Sequence, residues 1–345
     1  MTNQAFSRTP EPRREAETSP DSQPLPQARR TAVRQLVPRA LMLGLVAACP
    51  WTPVAADAPA DSQTQALDTP RIAGLVRDTR VREISGIAAS RRHPGLLWVH
   101  NDSGHPAQVH AIDARGRHRA ALDIEGVAGR DFEDIAAFEL DGTAYLLIAD
   151  TGDHGGLRTE VELVALAEPE RIEDARVKPA WTQRFRWPDG ARDVEAVAVD
   201  VAAREVLLIS KRRVPAQLFS LPLGPAAGLQ TARLRGELAG IVQPTPAETA
   251  GNPRFGRYRA QITAADLSSD ARQLAVLNYR TAYVYARVVG EDWAEAVTRD
   301  PQPLPFGWLA QAEAIAFDAQ GRHLWITSER LPAPLIEIPA PALDE

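Results

Sequence analysis

Cysteine and lysine are nearly missing from this chain of 345 residues: Cys49 is the single thiol, and Lys178 and Lys211 stand alone against 37 arginines. One cysteine, with no His-x-x-x-His pattern, excludes a Cys/His metal cluster. The arginine excess, beside abundant alanine and proline, is the mark of a nucleotide-composition bias and says little about guanidinium chemistry. No Gly-x-Ser-x-Gly elbow and no glycine-rich phosphate loop occurs, which removes the usual serine-hydrolase and nucleotide-binding readings. Ser103 beside Asp102 and His105 is a local coincidence of residue types rather than a triad. The apolar run at residues 40–48 is about nine residues long, too short to cross a hydrocarbon layer of roughly 30 Å as a helix.

That run belongs to a leader. Residues 1–28 are rich in Pro, Ser, Gln, Glu and Arg without an apolar period, a composition that cannot bury enough surface to order itself. Arg29, Arg30, Arg34 and Arg39 then precede the apolar residues 40–48, giving the basic, apolar and small-residue order of a secretory signal. Cys49 follows Val46-Ala47-Ala48, which resembles the bacterial lipobox; lipidation there would make it the first mature residue and the chain's only membrane attachment. Cleavage after Val54-Ala55-Ala56, giving a soluble exported protein, is the alternative. Residues 1–48 are thus expected to be leader and signal, 49–69 a flexible linker, and 70–345 the folded domain, exported to the periplasm, the outer membrane or the medium. The chain carries a net charge of −6, and residues 1–48 hold seven arginines against four acids, so the folded part is the acidic part. Nonspecific binding to nucleic acid is therefore not expected.

From residue 71 the chain repeats itself. A short phrase opens each unit: Ile84-Ser85-Gly86-Ile87-Ala88, Glu133-Asp134-Ile135-Ala136, Glu195-Ala196-Val197-Ala198, Ala265-Asp266-Leu267-Ser268 and Glu313-Ala314-Ile315-Ala316. About ten residues later an apolar run ends in polar residues, as in Tyr145-Leu146-Leu147-Ile148 before Asp150-Thr151-Gly152-Asp153. This predicts an all-β propeller of five four-stranded blades. Strands are expected at 84–89, 96–100, 108–112 and 118–124; at 132–139, 144–149, 161–166 and 181–187; and at 194–199, 205–210, 217–222 and 231–238. The fourth unit has 261–268, 273–278 and 282–288 with a helical turn near Trp293. The fifth, with 312–317, 323–327 and 335–338, is one strand short, and residues 72–76 would supply it and close the ring. First strands are poor in bulk, as blades converging on an axis require; second strands are apolar throughout, as strands covered on both faces should be.

In such a fold the connection entering a first strand and the one leaving a second strand share one end of the ring. That mouth is expected to collect Glu133, Asp134, Glu195, Asp266 and Glu313, with Asp102, His105, Asp150, Asp153, His154, Lys211, Arg212, Tyr279, Arg280, Glu329 and Arg330 around them. Glu133, Glu195 and Glu313 occupy one repeat position and should face a common region. Carboxylates so gathered need raised pKa values, paired cations or a metal ion. Calcium, which takes six to eight oxygens, suits them; Arg212, Arg280 and Arg330 offer the paired-cation alternative. Each acid also has a plain reading as a partner for turn amides, and Asp150-Thr151-Gly152-Asp153, without EF-hand spacing, reads plainly as an Asx-type turn. His100, His105 and His154 read as surface loop histidines.

The pairing of Glu133-Asp134-Ile135-Ala136 with Asp150-Thr151-Gly152-Asp153, followed by Thr263-Ala264-Ala265-Asp266-Leu267-Ser268 and Glu313-Ala314-Ile315-Ala316, resembles a group of exported bacterial β-propeller proteins. More distantly it is similar to phytase-like and TolB-like propellers. The phytase-like resemblance implies calcium-assisted phosphoester hydrolysis at an acidic mouth. The chain departs from WD-type repeats in having no Trp-Asp dipeptide. The sequence thus leads to an exported propeller binding a small-molecule or protein ligand at its mouth, through a divalent cation. A metal-assisted hydrolase of phosphoesters, esters or lactones and an interaction scaffold are the alternatives.

Overall fold

The computed structural model describes residues 69–307 and 309–343. The leader, Cys49, the cleavage position after Ala56 and the linker up to residue 68 lie outside the described residues. Five sheets, each with four main strands in antiparallel order, make five blades of a β-propeller. From the axis outwards, blade 1 is Ile84–Ala89, Leu96–Asn101, Gln108–Asp113 and His118–Ile124. Blade 2 is Phe132–Leu140, Thr143–Asp150, Val161–Ala167 and Trp181–Arg186. Blade 3 is Val194–Asp200, Glu205–Ser210, Gln217–Pro222 and Arg233–Glu237. Blade 4 is Ile262–Leu267, Gln273–Asn278, Ala282–Ala286 and Gln302–Leu304. Blade 5 is Ala312–Phe317, His323–Ser328 and Ala333–Pro339, completed on its outside by Arg71–Val76. The expected closure is there: Ile72 pairs with Ile336 and Val76 with Ala333 in antiparallel register.

Alternation and turn chemistry explain the local structure. The hairpin of blade 2 pairs Leu140 with Thr143 across Asp141-Gly142, both at positive φ (50° and 78°), the two-residue turn whose twist matches that of the strands it joins. First and second strands are buried along nearly their whole length. Five apolar clusters fill the five gaps between neighbouring blades; Leu147, Leu163 and Phe185 of blade 2, for instance, meet Val197, Leu208 and Phe219 of blade 3. Among the described residues these five clusters take the place of a single central core, and the innermost strands carry small residues, Gly86, Ala136, Ala196, Ala264 and Ala314, where the blades converge.

The structure corrects the expected outline in three places. The helical turn expected near Trp293 is there, Trp293–Ala296, but it does not end blade 4: an outer strand follows it at Gln302–Leu304. Two sheets gain a fifth, parallel strand lent by the next blade: Ala175–Val177 beside His118–Ile124, and Gln230–Thr231 beside Trp181–Arg186. The loop before blade 4 holds a helix, Pro246–Gly251, started by a capping box between Thr245 and Glu248. Among the described residues no helix is long and apolar enough to cross a membrane.

Candidate functional site

Every first strand slips register at one residue near its start. The partners jump from Ile84 to Gly86, Phe132 to Asp134, Val194 to Ala196, Ile262 to Ala264 and Ala312 to Ala314. The bulged residues are therefore Ser85, Glu133, Glu195, Thr263 and Glu313, one per blade. A bulge leaves its residue out of the ladder and re-aims its side chain, here at the mouth of the ring. The two short hydroxyls tie blades together, Ser85 Oγ donating to the Glu133 carbonyl at 3.0 Å and Thr263 Oγ1 to that of Ala312 at 2.9 Å. The three glutamates carry the charge.

This register moves Asp266. Thr263, not Ala265, is the counterpart of Glu133 in blade 4, so Asp266 lies three residues beyond the bulge instead of at the mouth. Its carboxylate accepts from Phe317 N of blade 5 at 2.8 Å and feels the charge of Arg91, which comes from the hairpin at the other end of the ring. Asp134 also faces the axis as a strut. Oδ1 accepts from Ile135 N at 2.9 Å and Oδ2 from Val197 N at 2.9 Å and Ala265 N at 3.1 Å. These three amides are the same repeat position in blades 2, 3 and 4. Burial pushes this acid up in pKa, and the three amides pull the other way.

Around the bulges stands a second tier. Asp131 and Asp193 each precede a bulged glutamate by two residues, and the residues leaving the second strands pair with this tier. Asp102 N donates to the Glu83 carbonyl at 2.8 Å, Lys211 N to that of Asp193 at 3.2 Å and Gly152 N to that of Asp131 at 3.3 Å. A side chain at Gly152 would collide with Glu133 Oε1 and the Asp131 carboxyl, so only glycine leaves these acids their space. Asp150 spends its oxygens on the amides of Arg130 (2.9 Å) and Asp131 (3.1 Å) and on Arg158 Nη2 (2.8 Å), which positions Asp131. Asp153 accepts from Leu157 N and Arg158 N at 2.7 and 2.9 Å and shapes its own turn.

Two groups of carboxylates result, each with oxygens within 4.8 Å of one another: Asp102, Asp131 and Glu133, and Glu133, Asp193 and Glu195. Glu133 is only 6% exposed, and neither of its carboxylate oxygens accepts a hydrogen bond or forms an ion pair among the described residues. Burial, then Glu195 and Asp131, pushes its pKa well up. Asp131 is raised to about 6 by burial and by Asp102 and Asp193. Glu313, on the other side of Glu195, is raised to about 8 by burial, against the pull of Lys211. Lys211 forms an ion pair with Glu195 and lies 5.9 Å from the centre of the Tyr279 ring. Burial opposes its charge, but Glu195, Tyr279, Glu313 and Glu133 outweigh that and hold it protonated.

The arginines expected at the site are committed elsewhere or stand at its rim. Arg212 meets Asp193 at 2.8 Å and the His154 carbonyl at 2.9 Å. Arg280 is bound to Glu248 of the Pro246–Gly251 helix at 2.5 Å. Arg330 is exposed and bridges its backbone to Glu83. His100, expected at the surface, is fully buried in blade 1, because its strand runs to Asn101, two residues past the apolar run that ends at Val99; burial lowers its pKa to about 4. Asp131 and Asp193 escaped the sequence reading, although Asp-x-Glu occurs ahead of two blades, at Asp131-Phe132-Glu133 and Asp193-Val194-Glu195.

The fold and the mouth define this chain as a five-bladed β-propeller with a buried acidic cluster at one end of its axis. No family model matches the sequence, and no curated protein matches it either. Among solved structures, the WD40 repeats of RRP9 align over 74% of this chain and 67% of that one, with 13% identity and a TM-score of 0.36. The hydrazine synthase of Kuenenia stuttgartiensis aligns over 83% of this chain and the whole of that one, with 10% identity and a TM-score of 0.40.

Proposed function

We propose that this chain is an exported cell-envelope propeller that binds a small-molecule or protein ligand at its acidic mouth through a divalent cation. The observation that carries the reading is Glu133, a buried carboxylate with no donor of its own among the described residues, set among Asp102, Asp131, Asp193 and Glu195. A group so placed either keeps a proton or holds a metal ion, and an all-oxygen set favours calcium or manganese over zinc. The resemblance to exported propellers, and the order of basic, apolar and small residues ahead of Cys49, support export, with lipidation of Cys49 as the anchor. Cys49→Ser should move the protein from the membrane fraction to the soluble one; an unchanged distribution retires the anchor.

Thermal unfolding of the full chain with and without calcium or manganese tests the cation. At a hundredfold excess over Kd, binding stabilises by about 2.7 kcal/mol, a rise of several degrees in Tm. The rise should vanish in the Glu133→Gln, Glu195→Gln double variant. No shift with any divalent ion would retire the reading.

A second reading, metal-assisted hydrolysis, is favoured by one further observation. Glu313, raised to about 8 beside Lys211 and Tyr279, can take or give a proton near neutral pH. A cation at the neighbouring carboxylates would polarise an ester or phosphoryl oxygen. A panel of phosphoesters, lactones and aryl esters, with the double variant as control, separates turnover from binding.

A further inference from the structure

The acids of the mouth form two triads, and Glu133 is a member of both. We infer that Glu133 is a bridging ligand and that the mouth is a binuclear centre for hard divalent cations. This rests on the cation reading above and adds to it the number of ions, their order of binding and the role of each carboxylate.

The spacing supports one ion per triad. Oxygens bound to calcium at about 2.3–2.6 Å lie at most about 5 Å apart when they face each other across the ion. Within each triad the oxygens lie inside 4.8 Å, so each triad can close on a single ion. Asp102 and Asp131 belong to one triad only, Asp193 and Glu195 to the other, and Glu133 alone joins the two. A carboxylate has two oxygens, and where it bridges two ions they stand roughly 3.5–4 Å apart. Glu133 is free to do this: it is buried, it accepts no hydrogen bond among the described residues, and Gly152 opposite it has no side chain to claim the space.

The two positions are not equivalent. Among the described residues no ion pair engages Asp102 or Asp131. Asp193 already meets Arg212, and Glu195 already meets Lys211. The first ion therefore enters between Asp102, Asp131 and Glu133, where it displaces no side-chain cation and meets only the hydrogen bond from Ser103 N to Asp102 Oδ1 at 2.6 Å. The second enters between Glu133, Asp193 and Glu195 and competes with two side-chain cations. Arg212, with 39% of its side chain exposed, can swing away, while Lys211 is enclosed and remains the stronger competitor.

Manganese is the probe, titrated into the chelator-stripped full chain and followed by electron paramagnetic resonance. Two ions per chain are expected, the first binding at least tenfold more tightly and giving an isolated six-line spectrum. Occupancy of the second should replace that spectrum with the broadened signal of a coupled pair. Asp131→Asn should abolish the tight step, and Asp193→Asn the weak one, leaving an uncoupled ion. Glu133→Gln should weaken both steps at least tenfold. Lys211→Met should tighten the second step and leave the first unchanged. Circular dichroism identifies any variant that has not folded, and the single-triad variants Asp131→Asn and Asp193→Asn each test the assignment alone. A single ion that saturates with an unbroadened spectrum overturns the bridge and leaves the one-cation reading standing. No binding at millimolar manganese overturns both.

Discussion

Asp134 and Glu133 are sequence neighbours with opposite roles, and substitution separates them. Asp134→Ala strands the amides of Ile135, Val197 and Ala265 in the interior, and at about 1–3 kcal/mol for each buried group left unpaired the loss should exceed 3 kcal/mol. Denaturant unfolding reads it as a lower midpoint at unchanged slope; Asp134→Asn should destabilise less, with cation stoichiometry intact. Histidine supplies a pH signature. Burial lowers His100 and His110 to about 4 from 6.5, so below pH 6.5 the unfolded chain binds protons that the folded chain refuses. Their contribution is complete above pH 6.5 and is lost as pH falls through 4, each group changing the unfolding equilibrium by at most about tenfold per pH unit. A His110→Gln variant, compared with the parent between pH 7 and 5 in chelator, should show a shallower decline; parallel curves would mean that His110 is not held neutral.

The bulge that opens each first strand does most to build the site, and only part of it can be read from the chain. Glutamate recurs at Glu133, Glu195 and Glu313, so three members of the ring are visible as a repeat. The fourth blade is misread because Asp266 looks like the acid of the phrase while Thr263 fills the position; a one-letter pattern cannot tell a bulged residue from one three places further on, and a ladder register can. The blade count and the closing strand were legible because alternation and turns are local. The pairing of Asp150 with the amides ahead of Glu133, and the commitment of Arg280 to Glu248, were not, because they depend on loops that meet only in the folded ring. Two predictions belong to these elements. Leu at Ala136 or Ala314, both buried where the blades converge, should destabilise by roughly 1–3 kcal/mol unless the strand shifts, as measured by chemical denaturation. Gly152→Ala should displace Glu133 and Asp131 and weaken manganese binding at least tenfold while leaving the far-ultraviolet spectrum unchanged.

The whole molecule is a circle of interfaces, each filled by its own apolar cluster, and no blade is complete without its neighbours. Removing residues 71–76 would leave the outer edge of Ala333–Pro339 unpaired and uncover Leu335 and Ile336. The truncated chain should melt at least 10 °C lower and associate through that edge, whereas a circular permutant that moves residues 70–83 behind residue 343 should keep the Tm and the scattering mass of the parent. Calorimetry and light scattering decide; equal melting of parent and truncated chains would mean that the ring does not need its clasp. Because that clasp unites the earliest and latest strands of the domain, the ring that holds the acids of blades 2 and 3 closes only once Ala333–Pro339 is in place. An ion seated among them would thus be taken from whichever compartment hosts the last step of folding, and its identity would record where the protein matured.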